Sequence, residues 1–236
     1  MNYLRMQAFT RILLGETDSA NSYFGDTEIK DMLNDAQIEV ATDTDPLLTF
    51  RTFTTADGDT RFPLPSDFMK MRSVEIDIST TRRHQLIWTS FDEFNSFISG
   101  NFILKGQPAY WKVELGAVDV TTNSPGDVWI YPGADDNGGD NYTLRIYYHQ
   151  LPQAMSADAE ISELPEMLHK AICYYAAIVL SRKDNARGRM QELQVLYDDR
   201  IKKFRKIKNQ RESRAFVAKN VYKLPGRVMP QGWRNW

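Results

Sequence analysis

Tyr142-Thr143-Leu144-Arg145-Ile146-Tyr147-Tyr148 sets Tyr142, Leu144, Ile146 and Tyr148 on one side of an extended chain and Thr143 and Arg145 on the other. A period of two with one apolar side is the pattern of a strand that buries one face. The same alternation occurs upstream in Val74, Ile76 and Ile78 against Glu75 and Asp77, and in Trp111, Val113 and Leu115 against Lys112 and Glu114. Turn chemistry separates these runs: Asp57-Gly58, Pro63 to Pro65, Pro125-Gly126, and Asp135 to Asn141 with Gly138-Gly139. Residues 48–151 therefore read as a β-rich insertion, a small antiparallel sandwich or open barrel. One interruption, Ser90-Phe91-Asp92-Glu93, has capping-box spacing and predicts a short helix through Ile98.

On both sides of this middle the period changes to that of a helix. Met6, Phe9, Ile12 and Leu13 form a short stripe that stops near Gly15. Asp26 is placed to cap a second helix, whose Ile29, Met32, Leu33, Ala36 and Val40 lie on one face. After Pro152, Leu164, Leu168, Ile172, Tyr175 and Val179 make a third stripe, with Pro165 in the first turn. Asp184 can cap a fourth helix, in which Met190, Leu193, Tyr197, Ile201 and Phe204 face one way. Helix pairs with one apolar face each bury those faces against one another. The expected fold is thus α+β: a four-helix bundle from pairs at 1–47 and 152–212, a central antiparallel insertion, and an extended C-terminal arm at 213–236.

With 236 residues, 42% hydrophobic and 25% charged, the chain can bury a sizeable core as one domain with an insertion. Its most apolar run, Ala171 to Leu180, is far shorter than the roughly 20 residues a bilayer helix needs, so it reads as core. Arg5 and Arg11 interrupt the apolar residues of the N-terminus, which therefore does not read as a secretory signal and is expected to begin the protein at Met1. A lone cysteine, Cys173, sits within the apolar run and suits synthesis in a reducing host cytoplasm.

Reaction machinery has little support in the residues. The chain has no G-x-S-x-G, no P-loop, no dinucleotide fingerprint and no H-E-x-x-H. Glu166 and His169 have the E-x-x-H spacing of carboxylate-bridged metal bundles, but no second copy exists, so the pair reads as a helix-surface or interfacial contact. The acidic loop Asp135 to Asp140 lacks the oxygen ligands of a calcium loop at Gly139 and Ile146 and reads as a hairpin turn. His84 and His149 have no nucleophile at a recognisable spacing, and no carboxylate pair marks glycan cleavage. No catalytic residue, cofactor or metal is expected.

Charge is distributed more tellingly. From Arg200 onward the chain carries twelve Lys or Arg and one acid, Glu212, which leaves 17 of the 29 bases and 30 of the 31 acids before it. A body of formal charge −13 thus bears a tail of +11 behind a net charge of −2. The tail also keeps apolar anchors. Its candidate partner-binding residues are Arg211, Arg214, Phe216, Lys219, Tyr222, Lys223, Leu224, Arg227, Trp233, Arg234 and Trp236. Such an arm suits nucleic-acid phosphates or an acidic protein groove. The acidic body argues against a dedicated DNA-binding domain, because a surface that repels phosphate suits passage of DNA better than retention.

In order of elements and in local sequence, the chain resembles the head-to-tail adaptor (connector) proteins of tailed bacteriophages. The resemblance rests on Leu13-Leu14-Gly15-Glu16, Tyr23-Phe24-Gly25-Asp26-Thr27-Glu28-Ile29, Leu33-Asn34-Asp35-Ala36-Gln37 and Leu64-Pro65-Ser66-Asp67-Phe68. It continues through Pro108-Ala109-Tyr110, Ile130-Tyr131-Pro132, Tyr142 to Tyr148, Leu164-Pro165-Glu166 and Tyr174-Tyr175-Ala176-Ala177. It implies a structural virion protein at the head-tail junction, in a ring, usually a dodecamer, beneath the portal protein. Such a ring extends the DNA channel, lets DNA pass without sequence-specific binding, and gives tail or nozzle proteins a platform. It also implies a C-terminal arm that grips the portal. Head-to-tail rings use heterologous contacts, in which a neighbour's acidic surface can meet the basic helical face Lys202, Lys203, Arg205 and Lys206. The alternative of another class is a nucleic-acid-binding or packaging accessory protein using the basic tail.

Overall fold

The computed structural model describes residues 1–16, 23–78, 82–98, 104–119, 124–135, 141–183 and 185–221, with the backbone alone at 98, 117–119 and 211–221. Helices α1 (Tyr3–Leu14) and α2 (Asp26–Thr44) come first. Strands β1 (Leu48–Thr54), β2 (Arg61–Pro63), β3 (Phe68–Asp77), β4 (Arg83–Gln85) and β5 (Ile87–Trp88) lead to helix α3 (Phe91–Ile98). Then follow β6 (Lys105–Gly106), β7 (Tyr110–Asp119), β8 (Ser124–Tyr131), β9 (Gly133–Ala134) and β10 (Thr143–Gln150). Helices α4 (His169–Lys183) and α5 (Arg187–Val221) close the chain.

Local chemistry sets the helix ends. Asn2 caps α1 by accepting from the Arg5 amide at 3.1 Å, and Gly15, at φ 79°, ends it in the left-handed region that glycine enters without a Cβ clash. Gly25, not Asp26, is the N-cap of α2, and Asp26 and Glu28 lie in its first turn, favourable at the positive end of the dipole. The stripe read on α2 is the buried one, with Ile29, Leu33, Ala36 and Val40 inaccessible and Met32 packed at its edge. On α1 the stripe is rotated: Tyr3, Met6, Gln7, Thr10 and Leu14 are buried, whereas Ile12 faces solvent.

The helices do not form the expected four-helix bundle. The fold is α+β, with five helices and three sheets among the described residues. In a bundle, four amphipathic helices share one core and each keeps a wet face. Here α4 is buried on nearly every side: Ala171, Ile172, Cys173, Ala176, Ala177 and Leu180 are inaccessible, and Tyr174 and Ile178 are almost so. Helices α1, α2 and α5 pack around it as a hub. A helix that is apolar all round belongs in the middle of its neighbours, and the alanines let those neighbours approach closely.

The expected extended arm is corrected as well, because α5 continues to Val221, through residues 213–221. Arg214 to Lys219 contains good helix formers, and the first strong breaker of the tail is Pro225. Inside α5, Leu193, Tyr197, Ile201 and Phe204 bury the stripe predicted for them. Phe204 is the last buried side chain among the described ones. Asp184, expected to cap this helix, lies outside the described residues.

The β module has a separate core. One sheet runs β1-β10-β3-β4, all antiparallel; the other runs β2-β8-β7-β5, with β5 parallel to β7; β6 and β9 form a small parallel pair. Phe62, Val128, Ile130 and Trp111 from one sheet meet Val74, Ile76, Leu144 and Ile146 from the other in one apolar cluster. The Ser90–Glu93 capping box forms: the Glu93 amide donates to Ser90 Oγ, and the Ser90 amide to Glu93 Oε2, both at 3.3 Å. Helix α3 covers part of β7, so Lys112, read as a solvent-facing residue, is buried with its ammonium 4.1 Å from the Phe91 ring centre. Leu115, read as inward, is exposed.

Residues 152–165 strap the two ends of the helical module together. The Tyr3 amide donates to Glu160 O at 2.8 Å, Asn34 bonds both the amide and the carbonyl of Met155, and Gln37 Nε2 donates to Gln153 O at 2.7 Å. Amide side chains, buried at Gln37 and half-buried at Asn34, thus satisfy loop backbone that would otherwise need water.

Candidate functional site

Burial of one stripe on α4 fixes the rotation of α5, and that rotation sorts its cations onto two flanks. On the flank beside α2, Arg205 Nη2 donates to Asp43 O at 2.6 Å, and Lys208 Nζ donates to Thr44 O and Asp45 O, both at 2.9 Å. These are the last two carbonyls of α2 and that of its C-cap, Asp45, which have no partner within the helix. Cations at that end also complement its partial negative charge. Tyr197 adds a hydrogen bond to Asp43 Oδ2 at 2.6 Å; burial, reinforced by that carboxylate, pushes its phenol well above the ordinary range.

Next to these groups lies a polar cleft of about 410 Å³ lined by Asp43, Asp45, Arg72, His149 and Lys208, among others. His149 is buried and its Nδ1 has no partner among the described residues. Desolvation lowers the imidazole pKa, with Asp45 pulling the other way and Lys208, Arg72 and Lys70 adding to the depression. Burial raises the Asp45 carboxyl, but the Lys70 ammonium at 2.8 Å outweighs it and holds that group below its ordinary value.

The opposite flank presents a groove of about 420 Å³. Met167 and Ile207 supply its apolar part, and Arg200, Lys203, Lys206 and Gln210 its polar rim. Lys203 pairs with Asp199 at 2.6 Å, but both side chains are more than half exposed, where such a pair contributes little. Of the basic face read from the sequence, Lys203 and Lys206 line this groove, Arg205 binds α2, and Lys202 is exposed.

The tail candidates fall elsewhere. Arg211, Arg214, Phe216 and Lys219 sit on the backbone of α5, where side chains are not described; Tyr222, Lys223, Leu224, Arg227, Trp233, Arg234 and Trp236 lie outside the described residues. The Glu166–His169 pair is split between an exposed carboxylate and a buried imidazole. The imidazole sits 2.6 Å from the Met1 amine and 2.9 Å from Leu164 O. His84 is exposed on β4, and Asp136 to Asp140 of the acidic loop lie outside the described residues. No cluster of metal-ligating side chains occurs, and no helix is long and apolar enough to cross a membrane, among the described residues.

One surface escaped the sequence reading. Ile87, Trp88, Phe91 and Leu104 are all more than half exposed on the β module. The signal was available in Ile87-Trp88, an adjacent apolar pair that breaks alternation.

A family model described as SU10 adaptor protein matches residues 1–222. No curated protein matches the chain.

Proposed function

The chain belongs to the SU10 adaptor family, a phage head-to-tail adaptor family, and on that premise we propose that it forms a ring beneath the portal protein, extending the DNA channel and seating the tail. As an adaptor it is a structural component of a phage virion. In the proposed assembly, twelve copies meet head to tail, with Lys202, Lys203 and Lys206 on the inter-subunit side and Arg205, the fourth member of that basic face, held on α2 of its own protomer. DNA passes through without sequence-specific binding. The reading is of a building block that holds partners, not of a catalyst.

The observation that carries this reading is the shape of α5. Its first half is anchored on α4, and its described side chains beyond Phe204 are polar or exposed while the backbone continues to Val221. A basic rod standing on a rooted base can reach a neighbouring ring, and the residues after it include the aromatic anchors Tyr222, Trp233 and Trp236. Repeated around a ring, modest contacts of this kind add up to a long-lived joint.

The test is to delete residues 213–236 and measure co-migration with portal rings. The truncated body should stay folded, since it keeps every buried side chain among the described residues, and should lose docking. Undiminished docking refutes the arm. Loss of salt-sensitive duplex binding, with portal docking intact, points to the nucleic-acid reading instead.

A further inference from the structure

Of the two concave surfaces described above on α5, the one beside α2 already has an intramolecular purpose. Its cations satisfy helix carbonyls, and an anion placed there would face the negative end of α2. The lysines of the outer groove, Lys203 and Lys206, bind no helix carbonyl among the described residues. Lys206 makes no hydrogen bond or ion pair among the described residues, and Ile207 and Met167 leave more than a third of their surface in water beside it. A surface that is basic at the rim and apolar at the floor asks for an occupant that is acidic at the rim and apolar in the middle.

The outer face of α2 has that composition. Asp31, Asp35 and Glu39 are exposed at i, i+4 and i+8, and Ile38 lies among them with 43% of its surface in water. None of the three acids forms an ion pair among the described residues. They span about 12 Å along the axis, and Arg200 to Gln210 about 15 Å, so two helices laid side by side bring the charges into range together. A protomer cannot join these faces itself, because the groove lies on the flank of α5 turned away from α2.

We infer that the α5 groove receives the acidic ridge of α2 from a second copy of this chain. Ile38 packs against Met167 and Ile207, and Asp35 and Glu39 lie opposite Lys203 and Lys206. This rests on the ring proposed above and gives it a specific contact. The contact is heterologous, so it repeats from copy to copy and closes or extends without any new surface. Duplex phosphate is the weaker occupant: it would neutralise the lysines but bring nothing apolar to cover the floor, and the acidic body would repel it.

Two sets of full-length variants test the contact, read alone and on portal rings by mass and by non-reducing gels. Lys203→Glu with Lys206→Glu should weaken self-association about tenfold or more at moderate salt, by setting like charges opposite one another. Adding Asp35→Lys and Glu39→Lys to the same chain should restore it. All four positions are exposed, so thermal unfolding should be unchanged. The double variant Glu39→Cys, Lys206→Cys should oxidise to a ladder of covalent oligomers, with either single variant giving none and the buried Cys173 taking no part. Oligomers that form without a ladder and ignore the charge reversal overturn this contact and leave the ring intact. If the unmodified chain forms no oligomer in either setting, the ring itself fails and the contact with it. If the lysine reversal abolishes retention of duplex DNA and leaves assembly unchanged, the groove is a phosphate site and the inference is wrong.

Discussion

Arg205 and Lys208 on one flank of α5, and Lys203 and Lys206 on the other, are the same chemistry a few residues apart, yet they sit in opposite surroundings. The inner pair completes the C-terminal turn of α2 and belongs to the fold. The outer pair rims an open groove. Charge content does not separate them; angular position on the helix relative to the buried stripe does. A run of basic residues thus divides into members that complete the fold and members left open to solvent as soon as the partner helix is known.

That contrast can be broken most forcefully at its root. Ile201 is almost fully buried in the stripe that holds α5 against α4, so Ile201→Ala should cost about 2–5 kcal/mol in denaturant unfolding. A cost below about 1 kcal/mol would mean that α5 is not seated as described. Next in size, Lys208→Met should cost about 1–2 kcal/mol, because the Thr44 and Asp45 carbonyls lose their donor. Equal stability of this variant and the parent would erase the structural role of the inner flank.

A smaller effect reports on burial beside the inner flank. The His149 pKa is depressed in the folded protein, so the native state keeps it neutral while the unfolded chain takes up a proton near its ordinary value of about 6.5. Its contribution is therefore fully present above about pH 6.5 and is lost as pH falls through the folded value. His169 is also depressed, by desolvation first, and adds to the slope in the same sense. Unfolding free energies measured from pH 8 to pH 5 should fall less steeply in His149→Gln than in the parent; identical slopes would show that His149 is not held neutral. The smallest effect belongs outside: Lys206→Met should change monomer stability by no more than about 0.5 kcal/mol. A larger loss in the isolated chain would place Lys206 in the fold and collapse the distinction between flanks.

How far the sequence could be read depended on whether the deciding contact was local. The stripe on α2, the strand pattern of Tyr142 to Tyr148 and the Ser90–Glu93 box all depend on residues a few positions apart, and each is found in place. The bundle was wrong because a stripe shows that a helix has a buried side, not how many neighbours surround it. Ala171 to Leu180 carried the answer in being apolar on every face, and picking out one stripe discarded it. Lys112 was misplaced because α3, separate in sequence, folds over the polar side of β7. The basic face was legible as charge, but the split of Arg205 from Lys203 depends on where α2 ends, which no spacing within α5 reveals.

The hub position of α4 also has a bearing on synthesis. Helices α1 and α2 leave the ribosome with their apolar faces bare, and the whole β module is made before the helix that covers them. The sandwich can close on its own core during that interval, while the first two helices wait. Nascent chains carrying residues 1–151 on a linker long enough to fill the exit tunnel should therefore show a protease-resistant middle and an N-terminus that is readily cleaved and captured by holdase chaperones; chains extended through α5 on the same linker should protect both. The order in which this adaptor becomes sticky and then stops being so is written into the placement of one late helix at the centre of early ones.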